Sequence, residues 1–582
     1  MMALFHQPFA MCPSTLMLAC TVCFVCTCCL ILCYKPRCTS TGLSAPPGPW
    51  RLPLLGNLHQ ILLCKPLLIH QALSYLAKTH GPLMSLQMGS RLALFISTGA
   101  MAKDFFQVND RHFASRPAFT FCDRLLYGQQ NGVAFRIYGP RWRKMRRVCT
   151  LELFTTRRLI SFQTILEEEL ALLVDDVYRL CQHSMEGSVE MNIAHLAHLV
   201  VSNIMGRLVL SKRMCDTCVN GESLLDMFKK TNDAIAPAMT DFIPFLGPLL
   251  DFRIRSKMNY THNHIDAFWT MVLHERRKHR GNQLHSPPKD FLDTLLSNEE
   301  VIELGDDNIK ATLMDILGAG SETSAITIEW AMAELLKNPH CLIKLQGELD
   351  TVCPTMNLLQ VSSLSSICPI SSSLWARRNV LNSSSSLSST APLSSSSSPS
   401  SGSYPSFPYS CIAQASYLKS VVKETLRLHP PVPLLIPRGS TEGARCQFGE
   451  YAFVGNLLLF VNAWAIGRDE DVWEQPQAFH PDRFDGNSEN LEGATWSSTD
   501  SRMLPFGVGR RKCPGMPLAL CIMELTLATL VRAFHWELPK LKQVLLEADM
   551  REKSGSAGTH KAEPLVAILR PRVVKPATAD NH

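Results

Sequence analysis

Hydrophobic and polar residues follow two spacings along this chain, and the stretches that follow neither are as informative. From Met1 to Tyr34 there is no Asp, Glu, Lys or Arg, and Met11–Tyr34 is a 24-residue, mostly apolar run. At about 1.5 Å per residue such a run crosses a hydrocarbon core of about 30 Å. It is longer than the apolar part of a cleaved leader, and no Lys or Arg precedes it. Lys35, Arg37 and Arg51 follow it, so the positive-inside rule puts the rest of the chain on the cytosolic side. The stretch Ala45-Pro46-Pro47-Gly48-Pro49-Trp50 is barred from helix and from central strand, and it reads as a stiff hinge.

Residues 60–350 then read mainly as helices. Ile160–Arg179 carries the 3–4 apolar spacing of an amphipathic helix, with Glu167, Glu168 and Glu169 on its wet side. Asn308–Lys337 is a long helical pattern ended by Asn338-Pro339, and Val421–Leu428 a short one stopped by His429-Pro430-Pro431. Short β-like pieces follow at Gln447–Val454 and Leu457–Val461. Leu518–Phe534 is helical and apolar on most sides, as a buried helix is. No repeat of fixed period occurs. The pattern predicts a mainly α protein with a minor β-sheet region, built as one large domain.

One stretch has no pattern. Of the 50 residues 361–410, 23 are Ser. The segment Cys353–Ala415 is low in complexity and predicts a disordered loop, with edges sharp enough to suggest retained non-coding sequence. Lengthening a loop costs only about 0.6 kcal/mol per doubling, so the hazard is loss of packed connector residues just before the next helix.

Composition sharpens the picture. The 582 residues hold 57 Lys+Arg against 51 Asp+Glu, and only 19% are charged, against roughly 25% in soluble domains. The apolar run and the serine tract account for the dilution. A net charge of +6 without a basic stripe is no nucleic-acid footprint. A chain that is 46% hydrophobic is not wholly disordered, and one with so few apolar runs is not a many-span membrane protein. Of the 21 cysteines, eight lie in or beside the apolar run and the rest are scattered. A cytosolic chain keeps its thiols reduced, so no disulfide framework is expected. Cys215 and Cys218 lack the second pair of a zinc site, and His262 and His264 lack carboxylate partners. The sequon Asn259-Tyr260-Thr261 falls on the cytosolic side.

Four clusters carry candidate chemistry. In Pro505-Phe506-Gly507-Val508-Gly509-Arg510-Arg511-Lys512-Cys513-Pro514-Gly515 a cysteine stands in a glycine-rich loop beside three cations, just before a buried helix. Cations and a helix N-terminus favour thiolate, which is a nucleophile or a metal ligand. Ala319-Gly320-Ser321-Glu322-Thr323-Ser324 interrupts the long helical pattern. A mid-helix Gly costs about 1 kcal/mol and Ser/Thr back-bonding weakens the ladder, which predicts a distorted turn with an acid–alcohol pair. Glu424 and Arg427 are three apart on one helical face, where a surface pair contributes a few tenths of a kcal/mol. Trp142 and Arg146 stand four apart in a basic helix.

Taken together these clusters resemble the cytochrome P450 family. Phe506, Gly509, Arg511, Cys513 and Gly515 match every fixed position of its heme-binding loop, Phe-x-x-Gly-x-Arg-x-Cys-x-Gly. Glu322-Thr323 looks like the acid–alcohol pair of the oxygen-activating helix. Glu424-x-x-Arg427 with Pro481-Asp482-Arg483-Phe484 looks like the buried charge lock, and Trp142-x-x-x-Arg146 like the propionate-binding helix. Leu54-Leu55-Gly56-Asn57 and Cys513-Pro514-Gly515-Met516 resemble microsomal plant members. The likeness runs from about Pro46 to Leu349 and from Tyr417 to Pro571.

The resemblance implies a cytochrome P450 fold behind an N-terminal transmembrane helix: an anchor at 1–44, a hinge at 45–57, and a monooxygenase domain at 58–582 interrupted at 353–415. It implies heme b (iron protoporphyrin IX), with Cys513 as axial iron ligand and Phe506 and Gly509 shaping its loop. Trp142, Arg146, Arg438 and Arg511 would meet the propionates. Thr323 and Glu322 would deliver protons, and Glu424, Arg427 and Arg483 would be structural. The implied partners are O2, a NADPH-cytochrome reductase, a small lipophilic substrate and the endoplasmic reticulum membrane. Arg143, Lys144, Arg147, Arg510 and Lys512 form either a solvated patch or a docking face for the acidic redox partner. Pocket segments are expected at Phe113–Asn131, Ala234–Leu250, Ala311–Ala319 with Ile326 and Thr327, Val432–Ile436 and Gly555–Lys561. Two other classes are weighed: a heme-thiolate isomerase or dehydratase working without O2, and a protein impaired by the serine tract.

Overall fold

The structure is a computed structural model. It describes residue 21 and residues 45–63, 67–219, 222–281, 288–353, 357–360, 403–406, 408–440, 445–484, 500–539, 549–555 and 558–572. Apart from Thr21, the apolar run Met11–Tyr34 lies outside the described residues.

In chain order the elements that position the site begin with a hairpin, β1 (Leu83–Met88) and β2 (Arg91–Ile96), followed by α1 (Gly99–Asn109), α2 (Pro140–Leu153) and α3 (Thr156–His183). Strand β3 (Val189–Asn192) leads into α4 (Ile193–Leu210). The long helix α5 (Asp306–Lys337), α6 (Pro339–Val352) and α7 (Ser416–Leu428) come next. Then follow β4 (Arg438–Gly439), β5 (Arg445–Phe448), β6 (Tyr451–Val454) and β7 (Leu458–Val461). Helix α8 (Met516–Ala533), β8 (Phe534–Glu537), β9 (Glu552–Ser554), β10 (Thr559–Lys561) and β11 (Val566–Pro571) complete the set. One sheet has the order β1-β2-β7-β4, with β7 parallel to β2, and a second has the order β8-β11-β3, antiparallel throughout.

The helical expectations hold for α5, α7 and α8, with boundaries within a few residues. Asp306 and Asp307 in the first turn of α5 and Lys337 in its last turn complement the helix dipole. Helix α5 is packed against α4 and α8. Both of these are long and apolar enough to cross a membrane, yet most of their surface is buried in the core.

Three expectations are corrected. The hairpin β1–β2 lies in a stretch read as mainly helical. Its strands are buried on most of both faces, so they lack the in–out alternation that marks a half-exposed strand. Glu169, read as wet, is buried and receives Arg207 at 3.0 Å and Arg213 at 3.0 Å. The proline stretch is docked rather than spanning free: the Ser85 amide donates to Pro47 O at 2.8 Å and the Ser85 hydroxyl to Pro46 O at 2.8 Å.

The serine tract also needs narrower limits. Cys353 is buried at one edge, and Ile412 and Ala415 are buried at the other. The Tyr409 amide donates to Glu167 Oε1 at 2.8 Å, and residues 357–360 pair antiparallel with 403–406. Residues 361–402 lie outside the described residues. What fixes the start of α7 is Glu348 of α6, whose carboxylate accepts the Tyr417 amide at 2.7 Å and the Leu418 amide at 2.9 Å. These are amides that a helix N-terminus leaves without an intrahelical partner, and a carboxylate there also meets the dipole favourably.

Candidate active site

A cavity of about 250 Å³ lies between α5 and the loop that precedes α8, and Cys513 and Thr323 both line it. The Cys513 side chain is exposed, but to this cavity rather than to the outer surface. Its amide donates to Phe506 O at 2.8 Å, which closes the loop on itself. Burial pushes the thiol pKa up. The Gly515 amide, the charge of Arg146, the Met516 amide and Lys512 pull it back toward thiolate. The two amides belong to the start of α8, so a helix N-terminus is aimed at the sulfur. Gly509 adopts φ +63°, and a Cβ there would lie 2.2 Å from Asp110 Oδ1. The space is taken by Asp110 because that carboxylate accepts the Arg510 amide, the Arg510 side chain at 2.9 Å and Arg438 at 3.0 Å.

On the opposite wall α5 runs as unbroken helix through Ala319–Ser324. The distorted turn expected from the sequence is absent. Gly320 is explained by packing instead: a Cβ there would lie 2.6 Å from the Met205 side chain on α4. The Thr323 hydroxyl donates to Ala319 O at 2.8 Å, the back-bond the sequence predicts. Glu322 turns away from the cavity. One carboxylate oxygen meets His198 Nε2 at 2.9 Å and the Asn232 amide at 3.4 Å, and the other meets His560 Nε2 at 3.0 Å. Ser202 Oγ lies 3.0 Å from the second ring nitrogen of His198. Burial opposes ionisation of Glu322, but bonds from the two histidines outweigh it and hold its carboxyl well below the usual range. Burial lowers and Glu322 raises the His560 pKa, and the net direction is up.

These shifts fix the sign of a pH effect. The His560 contribution to stability is complete below the ordinary histidine value and is lost as pH rises through its raised value. The Glu322 contribution is present above the ordinary carboxylate value and is lost only as pH falls through its depressed one. His560→Gln should therefore lower Tm most between about pH 5 and 6.5 and least above about pH 8. Thermal melts of both proteins across that range check it.

Four guanidiniums line the cavity: Arg116, Arg146, Arg438 and Arg511. Their N–H groups hold backbone carbonyls from distant segments. Arg511 donates to Ala114 O at 2.6 Å and to Val133 O at 3.2 Å, and Arg116 to Ala134 O at 2.9 Å and Ile436 O at 2.6 Å. Arg146 donates to Lys512 O. The Trp142 indole donates to Val133 O at 3.0 Å and so is engaged within the chain. Burial, and then repulsion from Arg511, Arg438 and Arg146, push the Arg116 pKa well down. The carboxylates near this group are Asp110 and Asp315. A surplus of buried positive charge beside a cavity-facing thiol fits a group that carries its own carboxylates and takes a thiolate ligand. The donor set therefore suits heme.

The predicted charge lock is assembled. Arg427 donates to both Glu424 oxygens at 2.7 and 2.8 Å, and Arg483 Nε donates to Glu424 Oε1 at 3.0 Å. The His480 amide adds a fourth bond at 2.8 Å, and Glu424 and Arg427 are fully enclosed. Of the predicted pocket segments, Phe113–Asn131 contributes Arg116 to the cavity, Ala311–Ala319 contributes Asp315, Ile316 and Ala319, Thr327 lines it, and Val432–Ile436 contributes Val432, Leu435 and Ile436, whereas Ile326 and all of Ala234–Leu250 and Gly555–Lys561 stay outside it. Gly555–Lys561 instead brings His560 to Glu322. The basic face is partly neutralised: Arg147 pairs with Glu300 at 2.9 Å, Lys144 with Glu303 at 3.6 Å and Arg510 with Asp110. Among the described residues Arg143 and Lys512 of that face have no carboxylate partner. No group of three or more His, Cys, Asp or Glu side chains among the described residues is placed to hold a metal ion.

Sequence reasoning missed Asp110 and His198, and it placed Arg116, Asp315 and His560 in expected pocket segments without singling them out; none of the five sits in a recognisable motif with its partners.

The comparisons with known proteins bear on the same residues. The family model described as Cytochrome P450 matches residues 46–367 and 401–559. The chain is similar to salviol synthase of Salvia pomifera, 34% identical over 520 residues, which is 88% of this chain and 89% of that protein. It is also similar to desmethyl-deoxy-podophyllotoxin synthase of Sinopodophyllum hexandrum, at 33% over 91% of this chain and 93% of the other. Flavonoid 3'-monooxygenase of Petunia hybrida is 31% identical over 91% of this chain and 93% of its own length.

Proposed function

The chain belongs to the cytochrome P450 family and is a monooxygenase, and on that premise we propose that it inserts one oxygen atom of O2 into a small lipophilic substrate of the phenylpropanoid, flavonoid or terpenoid class. Electrons come from NADPH through a NADPH-cytochrome reductase. The N-terminal run anchors the protein in the endoplasmic reticulum membrane with the catalytic domain in the cytosol. The observation that carries the reading is Cys513 facing Thr323 across a largely apolar cavity edged by four guanidiniums.

Heme b, when bound, supplies the one-electron and dioxygen chemistry. Cys513 Sγ would hold its iron, with the start of α8 and Arg146 pulling toward thiolate against the effect of burial. Arg146, Arg438, Arg511 and Arg116 would hold its carboxylates through charge-assisted bonds. Trp142 braces Arg146, whose guanidinium lies 5.6 Å from the indole ring. Phe506 and Gly509 set the shape of the loop. The apolar walls exclude water and orient a lipophilic substrate. The Thr323 hydroxyl, now satisfied by Ala319 O, holds a proton at the cavity wall. Glu322 stands one residue away with its carboxylate toward His198 and His560, away from the cavity. Glu424, Arg427 and Arg483 fix the segment that leads to the Cys513 loop.

Against the alternative, an enzyme disabled by the serine tract, stands the grip of Glu348 on the first amides of α7. The test uses full-length protein in membranes with the reductase and NADPH, offered phenylpropanoids, flavonoids and terpenoids under isotopically labelled dioxygen. A product with one labelled oxygen is expected. Turnover that proceeds without dioxygen would overturn the reading in favour of the isomerase or dehydratase class.

A further inference from the structure

Two cysteines from opposite edges of the serine tract meet. Cys353 follows the last turn of α6 and is buried. Cys411 belongs to the short helix Tyr409–Ile412 and is partly exposed. Their side chains hydrogen-bond to each other, although 57 residues lie between them in the chain. Both are thiols, and the reaction described above uses neither.

Each cysteine is held from its own side. The Cys353 amide donates to Leu349 O at 3.1 Å, and its carbonyl accepts Arg532 of α8. Asp350, three residues earlier, accepts Arg572 at 2.9 Å. On the other side the Tyr409 amide donates to Glu167 Oε1 at 2.8 Å, the Tyr409 side chain bonds Cys521 of α8, and Ile412 is buried. The holding contacts thus come from α3, α6 and α8, the packed part of the molecule. Burial and the Cys411 bond push the Cys353 thiol up to about 11, against the pull of Arg532. At neutral pH Cys353 is therefore protonated. Cys411, the sulfur more open to solvent, is the one that a small oxidant meets first.

We propose that Cys353 and Cys411 are a redox-sensitive pair that closes to a disulfide under peroxide and turns the serine tract into a covalently closed loop. The Cys411 thiolate attacks one peroxide oxygen: an S–O bond forms, the O–O bond breaks, and hydroxide leaves to take up the proton that Cys411 lost. Cys353 Sγ then attacks the sulfenic sulfur. The S–S bond forms, the S–O bond breaks, and the Cys353 proton leaves with the hydroxyl as water. Two thiols give up two electrons, and one peroxide becomes two waters. Because the second thiol already touches the first, closure outruns further oxidation of the sulfenic acid. A reducing cytosol keeps the pair as dithiol, and thiol reductants restore it. Closed, the link ties the end of α6 to the segment that enters α7, beside the grip of Glu348 on the same junction. In so long a loop the link restricts mainly the unfolded chain.

The test treats the full-length protein with hydrogen peroxide, caps the remaining thiols with N-ethylmaleimide and maps its peptides without reductant. A peptide joining Cys353 to Cys411, two hydrogens lighter than its parts and split by dithiothreitol, is expected. A second readout places a protease site within residues 361–402. Oxidised and then cut, that chain is expected to run on a denaturing gel as one band without reductant and as two with it. With Cys411→Ser added it is expected to run as two bands in both. A map in which Cys411 ends as sulfinic acid while Cys353 carries the cap overturns the proposal. So does Cys411 linked to any other cysteine, or an oxidised, cut wild-type pair that separates without reductant. If Cys411→Ser does not fold, the wild-type map decides alone. These readouts need neither heme nor turnover, so their failure leaves the monooxygenase reading where it stands.

Discussion

Cys513→Ser should abolish the thiolate-type band in the reduced carbon-monoxide difference spectrum of the full-length protein and take turnover below detection, while the fold survives. Cys513 presents the only thiol among the residues that line the cavity. A serine hydroxyl stays protonated at neutral pH and cannot replace a thiolate that donates electron density to iron. The loop itself does not depend on the sulfur. It is closed by the Cys513 amide on Phe506 O, by Arg511 on three backbone carbonyls, and by Asp110 on the Arg510 amide. Circular dichroism and Tm in the absence of heme are therefore expected to change little. A variant that kept the band would show that another group supplies the axial ligand.

Glu424→Gln should destabilise the protein by about 3–5 kcal/mol, the cost of leaving a buried charge without its partner. The substitution keeps volume and removes the charge that two guanidiniums share. Arg427 has no exposed surface, and its remaining N–H groups already meet Gly467 O at 2.5 Å, Pro476 O at 2.7 Å and Ala478 O at 3.0 Å. Those carbonyls satisfy geometry but not charge. Urea denaturation with an unchanged slope and a lower midpoint checks the magnitude. Arg147→Gln is the contrast: both members of the Arg147–Glu300 pair are largely exposed, and its loss should cost no more than about 0.5 kcal/mol. A Glu424→Gln protein as stable as Arg147→Gln would contradict the assignment of the lock.

The two predictions differ in how far the sequence alone supports them. Cys513, Glu424, Arg427 and Arg483 were legible because each stands in a short pattern that carries its own chemistry. The partners that complete the site were not. Asp110 meets Arg510 across 400 residues of chain, Arg116 meets Ile436 across 320, and Val133 meets Asp315 across 182. No local spacing encodes such pairings, because they arise only when the fold brings the segments together. Glu322 illustrates the intermediate case: its residue type was legible, but its orientation toward His198 and His560 was set by α4 and by strand β10. Glu169 failed for a related reason. It read as a wet position on an amphipathic helix, yet two arginines reach it from the end of α4 and the loop that follows. The hairpin β1–β2 escaped because strands buried on both faces give a nearly continuous apolar run, which periodicity alone cannot assign.

The carboxylate of Glu348 has a practical consequence. By holding the first amides of α7 from the end of α6, it joins the two helices directly as well as through the chain between them. Replacing residues 361–402 is expected to leave that junction intact. A purification tag, a fluorescent protein or an electron-donating module could be spliced there in place of the serines, tethered beside the working enzyme without touching either terminus.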